Sequence, residues 1–172
     1  HSHQEHFQRI NPKLDERVGD VRFIIDSHNL INKLDVALTN KPADIVFIDT
    51  WGDAVSGDFD NKMTRSFLKE IRTVCMKHGT TPVVIHHTNK GADNIPHKNS
   101  IKGAGDFEQA LRSVLFLTVF QGRRYLGLVK GNDHKLEDKK YMYQVDFDPI
   151  TERISIDHDN RLETDYICSE LR

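Results

Sequence analysis

The sequence of 172 residues has little cysteine, little proline and no excess of either charge. Its two cysteines, Cys75 and Cys168, form neither a disulfide framework nor a CxxC pair, which favours a reducing cytoplasmic location. Lys and Arg total 24 against 26 Asp and Glu, so any contact with a polyanion must be local. No apolar run approaches the roughly 18 residues of a transmembrane helix, and no signal-peptide pattern is present, so we expect no membrane contact.

The sequence also lacks the pattern GxxxxGK[ST], a loop whose backbone N–H groups and lysine hold phosphate groups. This absence excludes a self-contained phosphate-binding loop of that type within the 172 residues. The length suits one domain rather than two. The chain begins His-Ser-His, without Met, and leads directly into a helix-like segment.

Two continuous apolar runs, over residues 44–49 and 81–87, predict buried strands. Between them, residues 61–78 have an apolar stripe at helical spacing, and Gly79 is a typical helix stop. The members of that stripe are Met63, Phe67, Ile71, Val74 and Cys75. We therefore predict a strand, a helix and a second strand joined as a right-handed parallel crossover.

Further elements are predicted on both sides of this unit. VRFII, residues 21–25, predicts a strand, and a helix follows it. After the second strand come a short helix in DFEQALRS, a third apolar strand, VLFLTVF, and the short strands YLGLVK, YMYQVDF and RISI. The predicted fold class is α/β, with a mostly parallel sheet and antiparallel strands at the C-terminal end. In such sheets, ligands bind beyond the carboxyl ends of the strands.

Asp49 ends the first apolar run. A carboxylate at the end of a buried strand can hold a hydrated Mg²⁺ ion, because that ion keeps several waters and needs only one or two carboxylates. An aspartate after a strand is also a common turn or helix-cap residue. Asp49 alone therefore does not decide between these two roles.

His86 and His87 end the second apolar run. Consecutive side chains of a strand point to opposite faces, so one histidine is predicted to be functional and the other packed. An imidazole at this edge can hydrogen-bond a phosphate group. Zinc binding is the rival interpretation, and it depends on His97 in the following loop because no further ligand has the usual spacing.

Several cations lie in or beside the loops after these strands. Most such charges belong to solvated surfaces, but Lys102 is followed by Gly103, Ala104 and Gly105, a stretch that permits close approach of backbone or of another subunit. A cation presented there could reach a phosphate. The others are Lys90, Lys98, Arg112 and Lys130. For Trp51, packing or an interface is a better interpretation than base stacking.

Taken in order, three segments resemble the second half of a RecA-type ATPase core: IVFIDTW, then GDFDNKMTRSFLKEIRTVCMKHGTTPVVIHHTNK, then SIKGAGDFEQALRSVLFL. They are most similar to RepA-like hexameric replicative helicases. The resemblance spans roughly residues 44–130, and it depends on the order of motifs because no single motif is specific. It implies a RecA-like three-layer sandwich, binding of Mg²⁺ and ATP, action on DNA that is single-stranded, and self-association into a ring.

The resemblance also implies roles for particular residues. Asp49 matches the Walker B acid that holds Mg²⁺ through water, with Thr50 and His86 beside the nucleotide. His87 matches the γ-phosphate sensor. Lys102 has the position of an arginine finger supplied to the neighbouring subunit, and as lysine it keeps the charge without the planar fork.

Two further positions come from the same resemblance. Lys130 is similar to a subunit-interface lysine of DnaB-type relatives, with Asn132 in the place of their arginine. Arg112 matches an arginine of the family whose role here is either structural or catalytic. The sequence alone does not choose between these two roles for Arg112.

The first half of such a core, with its Walker A loop and its catalytic glutamate, is not in the sequence. We therefore expect the chain to be a fragment of a longer ATPase, with its N-terminal portion missing, and to be inactive alone. On this interpretation residues 1–172 form one partial RecA-like domain. Its parts are an opening segment at 1–43, the core at 44–130 and a C-terminal β-meander at 131–172.

Other functions stay open at this point. DIVFIDTWGD followed by a helix and TPVVI suggests an SGNH-type hydrolase, but Ser2 and Ser27 lack the context of its nucleophile. A metal-dependent nuclease would use Asp49, Asp53 and His87. A RecA-like module without catalysis is the fourth interpretation, with residues 91–100 as a candidate DNA-binding loop.

Overall fold

A computed structural model of the chain describes residues 22–24, 26–54, 61–88, 95–97, 100, 109–151 and 153–171. In chain order, the first elements are α1 (Leu30–Asn40), β1 (Ile45–Ile48), α2 (Trp51–Ala54), α3 (Asn61–Lys77) and β2 (Thr81–Val84). They are followed by β3 (Ser113–Phe120), β4 (Arg123–Gly131), a 3-10 helix (Leu136–Lys139), β5 (Tyr141–Asp148), β6 (Arg153–Glu163) and α4 (Thr164–Glu170). The described residues form a mixed α/β fold with a two-stranded parallel sheet and a four-stranded antiparallel sheet.

The parallel sheet pairs β1 with β2, in the register Ile45 to Thr81 and Ile48 to Val84. The ladder extends past the strand ends, because the Thr81 N–H donates to the Asp44 carbonyl at 2.8 Å and the Ile85 N–H donates to the Ile48 carbonyl at 2.9 Å. The predicted order of strand, helix and parallel strand over residues 44–87 is confirmed.

The helix α3 connects these strands and packs its apolar stripe on the sheet. Leu68, Ile71 and Cys75 are buried, whereas Met63 is half exposed. Burial raises the pKa of the Cys75 thiol, which keeps it neutral and unreactive. Gly79 follows the helix with φ of 68°, a left-handed conformation that favours glycine, so the predicted stop is confirmed.

One hydrophobic core lies between the parallel sheet and its helices. It is formed by Leu34, Leu38, Ile48, Trp51, Leu68, Ile71, Cys75 and Val114. Full burial of leucine or isoleucine stabilises the fold by about 1.5–3 kcal/mol for each side chain. The Arg22 guanidinium also donates to the carbonyls of Ala37 and Lys41, which satisfies acceptors at the C-terminal end of α1.

The antiparallel sheet has the order β3-β4-β5-β6 and a core of its own. That core is formed by Phe116, Phe120, Tyr125, Met142 and Ile167, and Ile167 comes from α4, which covers this face of the sheet. Gly127 permits the close pairing of β4 with β5, because a Cβ atom there would lie 2.7 Å from Met142 Cγ. Val129 packs against both cores.

Four features differ from the sequence prediction. The sheet was expected to be mostly parallel, but β3 pairs antiparallel with β4. β1 is not buried on both faces of the described structure, since Ile45 and Phe47 are exposed. Residues 22–24 of the predicted first strand form no strand, and the C-terminal meander ends in the helix α4. The predicted DFEQALRS helix lies mostly outside the described residues. Of its part that the structure describes, only Gln109 and Ala110 are helical.

Candidate functional site at the carboxyl edge of the parallel sheet

The carboxyl ends of β1 and β2 lie side by side and place Asp49 and His86 on neighbouring segments. Backbone pairing continues beyond the strands, because the Trp51 N–H donates to the Ile85 carbonyl at 2.8 Å. The peptide bond between Asp49 and Thr50 is cis. This edge is therefore built by the backbone ladder, and the polar residues directly follow the end of each strand.

Asp49 is exposed, whereas Thr50 beside it is half buried. The Thr50 carbonyl accepts the Ala54 N–H at 3.1 Å, so Thr50 begins the short helix α2. An exposed carboxylate at this edge fits a hydrated Mg²⁺ ion, which binds proteins through one or two carboxylates and completes its shell with water and phosphate oxygens. The described residues contain no cluster of three or more His, Cys, Asp or Glu side chains that could hold a metal ion.

The two histidines have different environments. His87 is exposed, whereas His86 is half buried and its Nδ1 atom is inaccessible to solvent. The imidazole of His87 is therefore the more exposed of the two at this edge. His97, on which the zinc interpretation depended, is exposed in a separate described segment and joins no metal-ligating cluster there.

Trp51 supports the edge from the core. Its ring is buried and meets the Phe67 ring of α3 edge to face, with 5.6 Å between centroids. Such a contact adds roughly 0.5–1.5 kcal/mol beyond burial of the area. The packing role predicted for Trp51 is confirmed, and it fixes the segment that follows Asp49.

Lys130 and Arg112 lie at the junction of β3 and β4. The Lys130 ammonium group donates to the Leu111 carbonyl at 2.7 Å. Arg112 is exposed and pairs with Asp133 at 3.1 Å, while its carbonyl accepts the Asn132 N–H at 3.0 Å. These contacts hold the start of β3 against the end of β4.

Lys102 and most of the loop after β2 lie outside the described residues. The same holds for Lys90, Lys98 and the glycine-containing stretch after Lys102. The side chain of Asp53, a ligand in the nuclease interpretation, is also outside them. Nothing in the described structure therefore tests the predicted finger or the predicted DNA-binding loop at 91–100.

A charge cluster that the sequence analysis did not single out lies at the opposite, amino end of β2. Asp35 of α1 accepts hydrogen bonds from Lys77 at 2.8 and 2.9 Å and lies 2.6 Å from His78 Nε2. Hydrogen bonds from Lys77 and then His78 lower the pKa of Asp35. The cluster joins α1 to the end of α3, which is a structural role.

The described residues also form a shallow groove of about 620 Å³, but it lies beside α1. Phe23, Ile24 and Val36 are among its lining residues, and its only charged side chains are Asp26 and Lys33. These two are paired with each other at 2.5 Å. The groove is therefore separate from the candidate site.

Comparison with known proteins shows that a protein-family model matches the part of the chain that contains Asp49, His86 and His87. Residues 11–93 match the AAA_25 family, described as an AAA domain, which is of the RecA-like P-loop type. No curated protein matches the chain. The matched region covers slightly less than half the chain and includes Asp49, His86 and His87, whereas Lys102, Arg112 and Lys130 lie beyond it. The general resemblance is thus confirmed for this region.

Among the described residues, no helix has the length and apolar character that a membrane crossing requires.

Proposed function

We propose that the chain is part of an oligomeric, Mg²⁺-dependent ATPase of the RecA-like type that acts on DNA, as RepA-like replicative helicases do. The observation that supports this most is the position of Asp49 and His87 at one sheet edge, inside the region that matches an AAA domain. ATP binding, the DNA substrate and the ring are parts of this proposal.

In this proposal each residue at the edge has one task. Asp49 would hold Mg²⁺ through water, and the ion would neutralise charge on the phosphate oxygens. Exposed His87 would donate a hydrogen bond to the γ-phosphate, while Thr50 and His86 would shape the edge beside the nucleotide. Lys102 of a neighbouring subunit would add positive charge where the phosphoryl group is transferred.

The phosphate-binding loop required for this chemistry is not among the 172 residues. We therefore expect the chain alone not to hydrolyse ATP. The interface roles of Lys130 and Arg112 stay predictions from the resemblance.

The test measures ATP turnover by the full-length gene product. Asp49→Asn should lower turnover by at least about 100-fold, because Mg²⁺ loses its protein carboxylate. Asp44→Asn, at the opposite end of the same strand, is the matched control and should leave turnover unchanged. Normal turnover by Asp49→Asn would refute the assignment of this edge.

A second experiment tests the subunit-spanning site. Lys102→Ala should lower turnover by about 1000-fold, and Lys102→Arg should retain it, because an arginine supplies the same charge. Mixing Lys102→Ala subunits with Asp49→Asn subunits should restore part of the turnover, since one kind of interface then contains both intact groups. No restoration on mixing, with both variants assembled, would contradict a finger supplied by the neighbour.

A further inference from the structure

The outer face of the antiparallel sheet, opposite the core that α4 covers, has an aromatic and cationic corner. Met142 points into that core and is fully buried, so its neighbours Tyr141 and Tyr143 lie on the outer face. Both tyrosines are half buried. We define this corner by Tyr141, Tyr143, Lys140, His158 and Arg161.

Cations surround the Tyr141 ring. The Arg161 guanidinium carbon lies 4.4 Å from the ring centroid, and Lys140 Nζ lies 5.2 Å from it. Lys140 also pairs with Glu163 at 3.2 Å. Hydrogen bonds to Glu163 and then to Tyr141 raise the pKa of Lys140.

The second tyrosine extends the same corner. Tyr143 lies beside His158, with 5.3 Å between ring centroids, and it is paired with Arg161 on β6 and Leu126 on β4. Arg124 is exposed two residues before Leu126 and therefore points to the same outer face. Two permanent cations, Arg161 and Lys140, thus lie at the Tyr141 ring, and Arg124 lies farther along the same face, where its partner on β5 is Val145. Glu163 pairs with Lys140, and Asp157 and Asp159 flank His158.

We propose that this corner is a binding site for single-stranded DNA. Aromatic rings, together with the guanidinium group that lies over one of them, offer stacking surfaces to bases, and arginine and lysine attract the phosphate backbone. The proposal rests on the proposed function in so far as the parent protein acts on DNA. It locates the contact on the C-terminal sheet, outside the region that matches the AAA domain.

The rest of the outer face distinguishes this proposal from its main rival. β3 exposes Leu115, Leu117 and Val119 there, an aliphatic row that would suit a protein partner. That row has no aromatic side chain and no charge, whereas the corner has both. The features that recognise nucleic acid are concentrated at one place, which is why we favour DNA at the corner.

The experiment uses fluorescence anisotropy of a labelled oligothymidylate of about 16 nucleotides titrated with the 172-residue chain. We expect binding that weakens with salt. Tyr141→Ala and Tyr143→Ala should each weaken it by roughly 10-fold to 100-fold, through loss of base stacking. Tyr141→Phe should retain binding because the ring remains. Arg161→Gln should reduce the magnitude of the slope of log K against log salt concentration by about 1, the contribution of one phosphate contact.

Phe147→Ala is the matched control, since Phe147 is an exposed aromatic on the same face of β5 but away from the corner. It should leave DNA binding unchanged. Circular dichroism verifies that each variant is folded. Failure of the chain to bind DNA at low salt, or equal binding by folded Tyr141→Ala and Tyr143→Ala variants, would overturn the proposal.

Two outcomes distinguish this proposal from a protein interface on the same face and from the ATPase assignment. If Leu117→Asp abolishes self-association of the chain and no DNA binds, the face is a protein interface and the proposal is wrong. In the full-length product, Tyr141→Ala should preserve ATP turnover without DNA but abolish its stimulation by single-stranded DNA. If Tyr141→Ala and Tyr143→Ala lose DNA binding while Asp49→Asn retains normal ATP turnover, the DNA site at the corner is supported and the ATPase assignment is refuted.

Discussion

The parallel and antiparallel sheets differ in the length of their strands, although each exposes apolar side chains on one face within the described residues. In the parallel sheet each strand has four residues, and Ile45 and Phe47 of β1 are 51% and 65% exposed. In the antiparallel sheet the strands have eight to eleven residues, and Met142 is fully buried whereas Leu115 and Leu117 on the opposite face are 64% and 56% exposed. Two short strands alone are marginally stable, so the parallel pair depends on the helices packed against it.

The two sheets also differ in the roles that we propose for them. The residues proposed to bind Mg²⁺ and phosphate lie at the edge of the smaller sheet, within the AAA-domain match. The larger sheet has its own core and lies outside that match, and we assign it a binding role instead. The two sheets should therefore respond differently to the same kind of mutation.

The largest effect should come from emptying one core. Met142→Ala removes a fully buried side chain and should lower the free energy of unfolding of the antiparallel sheet by about 2–5 kcal/mol. Hydrogen exchange should show faster exchange in β3–β6 and α4, with protection in α1 and α3 preserved. Leu38→Ala in the other core should give the reverse pattern. Equal loss of protection in both regions for both variants would show that they unfold as one unit.

A smaller effect is expected at the junction between β3 and β4. Lys130→Met keeps the apolar stem but loses the hydrogen bond to the Leu111 carbonyl, which should cost about 1 kcal/mol in urea unfolding. Arg112→Gln breaks only an exposed ion pair and should cost less than about 0.5 kcal/mol. A larger cost for Arg112→Gln than for Lys130→Met would contradict the contacts described here. Loss of turnover in a folded Arg112→Gln protein would assign Arg112 a catalytic role.

The smallest effect concerns pH and the ion pairs of Asp35. Because Lys77 and His78 lower its pKa in the folded state, ionised Asp35 stabilises the fold above its unfolded-state pKa. This contribution is lost as the pH falls through the lowered pKa. Asp35→Asn should thus be less stable than the natural sequence near neutral pH, and the difference should disappear in strong acid.

Thermal unfolding over a series of pH values measures this difference. Lys77→Met provides the control, since removal of the first partner should reduce the pH dependence that Asp35 contributes. An Asp35→Asn variant whose stability relative to the natural sequence is constant with pH would contradict the role of these ion pairs.

The sequence was sufficient to predict the parallel unit, because its signals are strong and local. The helical stripe that contains Ile71 and Cys75, the stop at Gly79 and the two continuous apolar runs agree with one another. Asp49 and the histidines were found for the same reason, since each directly follows a predicted strand. The order of these elements fixes the edge at which their side chains lie.

The sequence was not sufficient to place β3. This strand alternates buried Phe116 and Phe120 with exposed Leu117 and Val119, all apolar, so hydropathy does not reveal which face is buried or which strand is its neighbour. The helix α4 was missed because its seven residues, TDYICSE, contain only one fully buried anchor, Ile167. Tertiary packing, rather than local propensity, decides both elements.

The most direct test of the central claim replaces Mg²⁺ by Fe²⁺ in the full-length gene product with ATP, and then adds ascorbate and peroxide. Hydroxyl radicals formed at the bound ion cleave the backbone close to it, and mass spectrometry locates the cuts. The account predicts ATP-dependent cleavage at residues 49–51 and 85–87, which is abolished by Asp49→Asn and preserved by Asp44→Asn. Cleavage that is absent from both segments, or unchanged in Asp49→Asn, would contradict the assignment of the metal–nucleotide site to this edge of the sheet.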